Sequence, residues 1–304
     1  MLPKVTVQIP TYNQKQYIKK AIDSILAQNY ENLQVIVSDD CSPDYDIFDY
    51  LKEYKNHPKV LIHRNEKNLG RVGNYRNTLF NLVEGEWFIN LDGDDSFDTI
   101  QFLASAMNLI VNNKCADDIV CFEFNHKLDY IKKYISSYKE IDGETIMVSG
   151  TDYLIMQKYY HNFMHANSIF NVAVAKKVDF YNLDILSSDF FSAVKIWTRG
   201  DIILSSKKIF SWNLHDENAT LSESLENVKK EKIAIKDCSN YIKEKLQSGE
   251  TIQVLNNLQY LLFQRVFKIY SVKKKDSNFY KYLLANFKFN KYFTRKLILE
   301  FLKI

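Results

Sequence analysis

Four short apolar runs recur in the N-terminal third of the chain, and each breaks off into a polar stretch. KVTVQIP (4–10) runs into PTYN, LQVIVS (33–38) into DDCSPD, KVLIH (59–63) into RNEKNLGR and EWFINL (86–91) into DGDD. A fifth strand-like run, IVCFEF, covers Ile119–Phe124. The intervals between them carry helical periodicity. Over Gln14–Gln28, Ile18, Ile22, Ile25 and Leu26 share one face, and Asp46–Tyr54, Val72–Leu82 and Thr99–Val111 read as further helices. Strands alternating with helices at this spacing predict right-handed crossovers and an α/β fold with a mostly parallel, Rossmann-like sheet. Strands apolar almost throughout predict helices on both faces. In such a sheet the ligand sits at the carboxyl ends of the strands, so the four polar loops predict one polar cleft.

Past Asn125 the pattern loosens. Residues 128–141 read as a polar hairpin or loop, and Thr151–Tyr159 and Asp189–Thr198 as helices. Asp201–Trp212 reads as a strand pair or one bent strand, and everything from Leu225 onward as helix. Charge divides there too. Residues 225–304 hold 17 Lys and Arg against seven Asp and Glu, although the whole chain carries only +3. The division predicts a nucleotide-binding domain over 1–224 and a basic helical region over 225–304. No run approaches the ~18 apolar residues of a spanning helix, and MLPKVTVQIP leads straight into a strand, so the expected setting is the cytoplasm. The four cysteines show no CxxC spacing and read as reduced thiols.

The loops carry the chemistry. In FINLDGDDSF (88–97) a strand delivers Asp92, Asp94 and Asp95 to one spot, where carboxylates repel unless a cation sits among them or some turn away. Hard oxygen ligands suit Mg²⁺ or Mn²⁺; the same residues also suit an acidic turn that caps the next helix. An Asp in DDCSPD can accept from a ribose or a base N–H, or close an Asx turn. PTYN offers a hydroxyl, a ring and an amide. In NLGRVGNYRN, Gly70 and Gly73 permit close backbone approach, while Arg71 and Arg76, five apart, cannot both face one site.

Together VTVQIPTYNQKQYIKKAIDSILAQNY, VIVSDDCSPD, NEKNLGRVGNYRN and GEWFINLDGDDSF resemble the family-2 glycosyltransferases of GT-A fold, in order and almost end to end over about the first hundred residues. Cys41 stands where that family has a glycine. The resemblance implies that Pro10, Thr11, Tyr12, Asn13 and Asp39 border the base of a sugar nucleotide, with Asn68, Gly70, Arg71, Asp92 and Gly93 around its base and ribose. It implies that Asp94 binds a divalent Mn²⁺ or Mg²⁺ ion on the diphosphate, with Asp95 either its neighbour there or a residue that holds the loop. It further implies a catalytic base in LSSDFFSAVKIW (186–197), which points to Asp189, with Asp184 as fallback and an N-cap as the other role Asp189 could fill. WNLHDENATLS (212–222) resembles the segment from which His215 would reach the metal or diphosphate, and His165 falls on the acceptor side.

The resemblance thus implies an inverting, metal-dependent transferase that moves a sugar from a nucleotide diphosphate donor, UDP-hexose or UDP-N-acetylhexosamine, to a bacterial surface glycan or lipid-linked acceptor. Two rivals stand beside it: a catalytically silent binding or scaffold subunit, and a sugar nucleotidyltransferase, whose Gly-rich triphosphate loop PTYNQK lacks. The basic, aromatic stretch from Ser271 suits peripheral contact with the inner face of the membrane or a homodimer surface. The acidic first part argues against nucleic acid.

Overall fold

The computed structural model describes residues 2–113, 119–157, 159, 161–211 and 225–272. Its centre is a nine-stranded sheet. The strands are β1 (Val5–Thr11), β2 (Leu33–Asp39), β3 (Val60–Arg64), β4 (Trp87–Asn90), β6 (Ile119–Glu123), β7 (Lys139–Asp142), β8 (Thr145–Ser149), β9 (Ser168–Asn171) and β10 (Asp201–Ser205). Their order is β3-β2-β1-β4-β9-β6-β10-β8-β7. Parallel pairing joins β3, β2, β1 and β4, and also β6 and β10, while β9 and β8 run against their neighbours. A separate two-stranded ribbon pairs β5 (Ser96–Phe97) with β11 (Phe210–Ser211).

Period two sorts the strand side chains into two apolar layers. Val5, Val7, Ile9, Val35, Val37 and Ile89 face one layer, with α1 (Ile18–Leu26) and α4 (Phe102–Asn112). Ile36, Phe88 and Val120 face the other, with α3 (Arg71–Asn81), α6 (Gly150–Met156), α7 (Val172–Lys177) and α8 (Ser188–Trp197). Two single-turn helices, α2 (Ile47–Tyr50) and α5 (Leu128–Ile131), add Ile47 to the first layer and Leu128 and Ile131 to the second. On the α3 side β1 contributes buried Thr6 and Gln8 rather than apolar residues. The Thr6 hydroxyl donates to Gln34 Oε1 and Gln8 Nε2 donates to Asn90 Oδ1, which lowers the cost of burying these polar groups.

Stretch 128–141 differs from the expected polar hairpin or loop: it opens with the helical turn α5, which buries Leu128 and Ile131, and only its end forms one arm of the β7–β8 hairpin. The helix predicted from Gln14 starts only at Ile18, after a turn in which Tyr17 N–H bonds Gln14 C=O. β8 and β9, both antiparallel to their neighbours, are strands the alternating pattern does not predict.

Beyond the predicted boundary at 224 come α9 (Leu225–Lys245) and α10 (Ser248–Val272). Ala234, Ile235, Cys238, Ile242, Val254 and Leu258 join the same apolar layer as α3, α6 and α8. Burial of such side chains contributes roughly 1.5–3 kcal/mol each for the larger ones. The fully buried Lys195 ammonium of α8 pins α9 by bonds to Asp237 (3.2 Å) and Asn182 (2.9 Å). Among the described residues, no helix is long and apolar enough to cross a membrane.

Candidate active site at the carboxyl edge of the sheet

The carboxyl ends of β1, β2 and β4 and the N-termini of α3 and α8 enclose a cleft of about 1140 Å³. Pro10, Thr11, Tyr12, Asn68, Gly70, Arg71, Asp92, Asp94 and Asp189 all line it. One edge of the sheet therefore gathers nine of the predicted residues. Gly93 does not line the cleft but shapes it: a Cβ there would come within 2.6 Å of the Gln14 side chain and 3.3 Å of Thr11. Asn13, in left-handed backbone at φ 55°, stands just outside and donates its N–H to Ser42 Oγ (2.9 Å).

Asp39 needs correcting. As the last residue of the buried strand β2 it is 0% exposed. Its carboxylate accepts from Ser42 N–H (3.1 Å) and the Ser42 hydroxyl, with Arg64 Nε at 3.7 Å. It closes the loop from within, as an Asx turn does. The next residue, Asp40, lines the cleft instead; its Oδ1 accepts from Asn65 Nδ2 and Leu69 N–H, both at 2.8 Å. The turn that follows the two carboxylates passes through Cys41 at φ 62°, backbone that favours glycine.

Asp92, Asp94 and Asp95 each offer a carboxylate oxygen, all within 4.8 Å of one another. An all-oxygen set of this kind fits Mg²⁺ or Mn²⁺. Two of the three stand intermediate in exposure, so water and ligand can complete a shell. His215 lies outside the described residues; β11, which leads into its segment, pairs with β5 directly after Asp95.

Asp92 is anchored by two neighbours. Tyr75 donates its hydroxyl to Oδ1, and His165 Nε2 lies 3.3 Å from Oδ2. The other imidazole nitrogen of His165, Nδ1, lies 3.5 Å from Oδ2 of Asp189. The ring thus bridges the carboxylate at the end of β4 and the one in the first turn of α8. Burial works against a charge on His165, but the charge and hydrogen bond of Asp92, and then the charge of Asp189, prevail and raise its pKa to about 9. Burial likewise opposes ionisation of Asp92, yet His165 and the Tyr75 hydroxyl bring it down to about 2. Burial, then the Asp92 charge, pushes the Tyr75 phenol well up, so it stays a donor.

A second layer holds this arrangement. Tyr75 stacks on Tyr181 (5.0 Å, 16°), whose hydroxyl accepts from Asn90 Nδ2. Arg71 Nη2 donates to the carbonyls of Ile185 (3.2 Å) and Leu186 (2.7 Å), bracing the turn into α8. Arg76 points away, paired with Asp179 at 2.7 Å, as five-residue spacing on α3 requires. Asp184 is exposed and does not line the cleft. Sequence reasoning put His165 on the acceptor side and missed its bridge; a lone histidine carries no local signal of partners 73 and 24 residues distant.

The matched relatives are glycosyltransferases. Poly(ribitol-phosphate) β-N-acetylglucosaminyltransferase TarS of Staphylococcus aureus is 33% identical over 94 residues, 30% of this chain and 16% of TarS. A GalNAc(5)-diNAcBac-PP-undecaprenol β-1,3-glucosyltransferase of Campylobacter jejuni is 30% identical over 160 residues, 51% of this chain and 48% of that one. The chain spans less than half the length of the curated relatives it matches. The crystal structure of TarS 1–349 with UDP superposes with a TM-score of 0.63 at 20% identity, over 84% of this chain and 70% of that one. A mannosyltransferase of Pyrobaculum calidifontis with GDP-Man and Mn²⁺ superposes at 0.56 and 15% identity, over 94% and 79%. At these identities the likeness is one of fold, and the fold is GT-A. The model of the glycosyl transferase family 2 matches residues 6–178, more than half of the sequence, and the chain belongs to that family.

Proposed function

We propose that the protein is an inverting, metal-dependent glycosyltransferase that moves a hexosyl or N-acetylhexosaminyl group from a UDP-sugar to a hydroxyl of a bacterial surface glycan or lipid-linked glycan. The observation that carries the reading is the single cleft in which the acidic triplet after β4 and Asp189 at the start of α8 are joined through His165.

Tyr12 and Asp40 border the base, with Asn68, Gly70 and Arg71 beside the ribose. Asp94, with Asp92 and Asp95 beside it, would hold Mn²⁺ or Mg²⁺, which supplies neutralisation of the charge that gathers on the departing diphosphate. Asp189 accepts the proton of the acceptor hydroxyl as its oxygen bonds the anomeric carbon. The bond from that carbon to the diphosphate oxygen breaks on the opposite face, and the electron pair leaves with UDP, inverting the centre. His165 keeps Asp189 and Asp92 in register. The chain would work on the cytoplasmic side. Its basic stretch beyond α10, outside the described residues, would meet an anionic membrane surface or a second copy.

The test is nucleotide release from a panel of UDP- and GDP-sugars with Mn²⁺, without acceptor. Release from one UDP-sugar, with Asp189→Asn retaining donor binding but losing transfer once an acceptor is supplied, is the expected result. Absence of release and of donor binding across the panel would sink the reading.

A further inference from the structure

Twelve large apolar or aromatic side chains are exposed among the described residues, and four of them are the tyrosines Tyr130, Tyr134, Tyr138 and Tyr159. Scattered singly such residues need no explanation, but a contiguous group does. Tyr130 and Tyr134 pack at 5.0 Å, and Tyr134 stacks on Tyr159 at 4.6 Å with the planes 10° apart. Tyr138 joins them through Lys132, whose ammonium lies 5.6 Å from its ring. The rings are 37–46% open to solvent. The group is also ordered: the Tyr130 hydroxyl bonds the Tyr159 carbonyl (3.4 Å), and Tyr159 N–H bonds Met156 C=O (2.8 Å).

One member of the group stands close to the cleft. His161, two residues past Tyr159, lines it, so at ~3.8 Å per Cα step their backbones lie within about 8 Å. The His161 ring meets Phe190 edge-on at 4.9 Å, and Phe190 follows Asp189 in α8. Ring contact therefore carries from Phe190, beside the proposed base, to His161, two residues from Tyr159.

We infer that Tyr130, Tyr134 and Tyr159 form a docking platform for the glycan chain of the acceptor, several sugars back from the hydroxyl that is glycosylated. The inference rests on the transferase reading for its placement. The chemistry selects a sugar chain. A pyranose presents a face of C–H groups that gains dispersion contact on a ring, while phenol hydroxyls meet its hydroxyls. A rigid, preformed stack binds with little ordering cost, which suits a weak, sliding contact with a polymer. A second protein copy or a lipid surface would instead need a broad apolar area, and Lys132, Lys133 and Glu140 interrupt this one.

The experiment is tyrosine nitration by tetranitromethane, mapped by peptide mass spectrometry, with chitohexaose, maltohexaose and laminarihexaose as probes. At least one hexasaccharide should slow nitration of Tyr134 and Tyr159 about threefold or more while leaving Tyr50 unchanged. The Tyr134→Ser/Tyr159→Ser protein should bind that sugar at least about tenfold more weakly by calorimetry; if it does not fold, the protection pattern in the unaltered protein decides. No protection by any hexasaccharide, equal protection of Tyr50, undiminished binding by the variant, or protection that rises with protein concentration in the absence of sugar would each overturn the platform. Nucleotide release by the unaltered protein is read separately. Sugar protection with neither release nor donor binding would leave the platform standing and sink the transferase reading, and release without protection would do the reverse.

Discussion

His165→Ala should cost stability in a pH-dependent way. The imidazole side chain is only 11% exposed and lies 3.3 Å from one carboxylate and 3.5 Å from another. Its pKa rises from 6.5 to about 9 on folding. At 1.36 kcal/mol per unit that sets an upper bound of about 3 kcal/mol. Asp92 and Asp189 keep 35% and 22% of their side-chain surface in water, so screening reduces the expected loss to about 2 kcal/mol. Because the folded pKa lies above the unfolded one, this contribution is complete below about pH 6.5 and fades as pH rises through about 9. Urea unfolding of both proteins at intervals from pH 6 to 10 measures it. The stability gap should be widest near pH 6 and close towards pH 10. A gap that stays flat, or widens with pH, would show that His165 acts by packing alone and that the charged bridge is wrong.

Asp40→Asn should weaken UDP binding about tenfold with little loss of stability. Asp39→Asn should instead destabilise by about 1–3 kcal/mol, because the inward carboxylate accepts from Ser42 and faces Arg64; calorimetry and urea melts on the pair separate the two aspartates. Lys195→Met should cost roughly 2–3 kcal/mol in urea unfolding, since it strips the cationic partner from Asp237, which keeps only the Asn182 amide and is 27% exposed. Cys41→Gly should raise stability by about 0.5 kcal/mol, the relief of a φ of 62° being partly offset by the freer unfolded chain; a drop in urea midpoint would contradict it.

The strand positions were legible because buried parallel strands are mostly apolar, and β1, β2 and β4 are buried throughout or nearly so even where Thr6, Gln8 and Gln34 interrupt the pattern. β9 was not, because its four residues gain strand character only from β4 and β6 on either side. Composition could not separate Asp39 from Asp40. Which of two adjacent carboxylates faces the ligand depends on how the chain leaves β2, and the left-handed turn at Cys41 and the inward Ser42 decide it. The candidate acid residues were readable as types at strand and helix ends. Their coupling was not, since His165 reaches both carboxylates only once β9 has brought its segment beneath the cleft. The tyrosine platform was equally hidden, its rings being drawn from α5 and from the turn after α6.

The central claim is that the acidic triplet holds a diphosphate through a divalent ion. Calorimetric titration of UDP into the protein, with and without Mn²⁺, tests it most directly alongside Asp94→Asn. UDP should bind with Mn²⁺ and lose at least about a hundredfold in affinity on chelation and in Asp94→Asn, with only the base and ribose contacts surviving. Binding of equal strength in all three conditions would contradict the metal–diphosphate account.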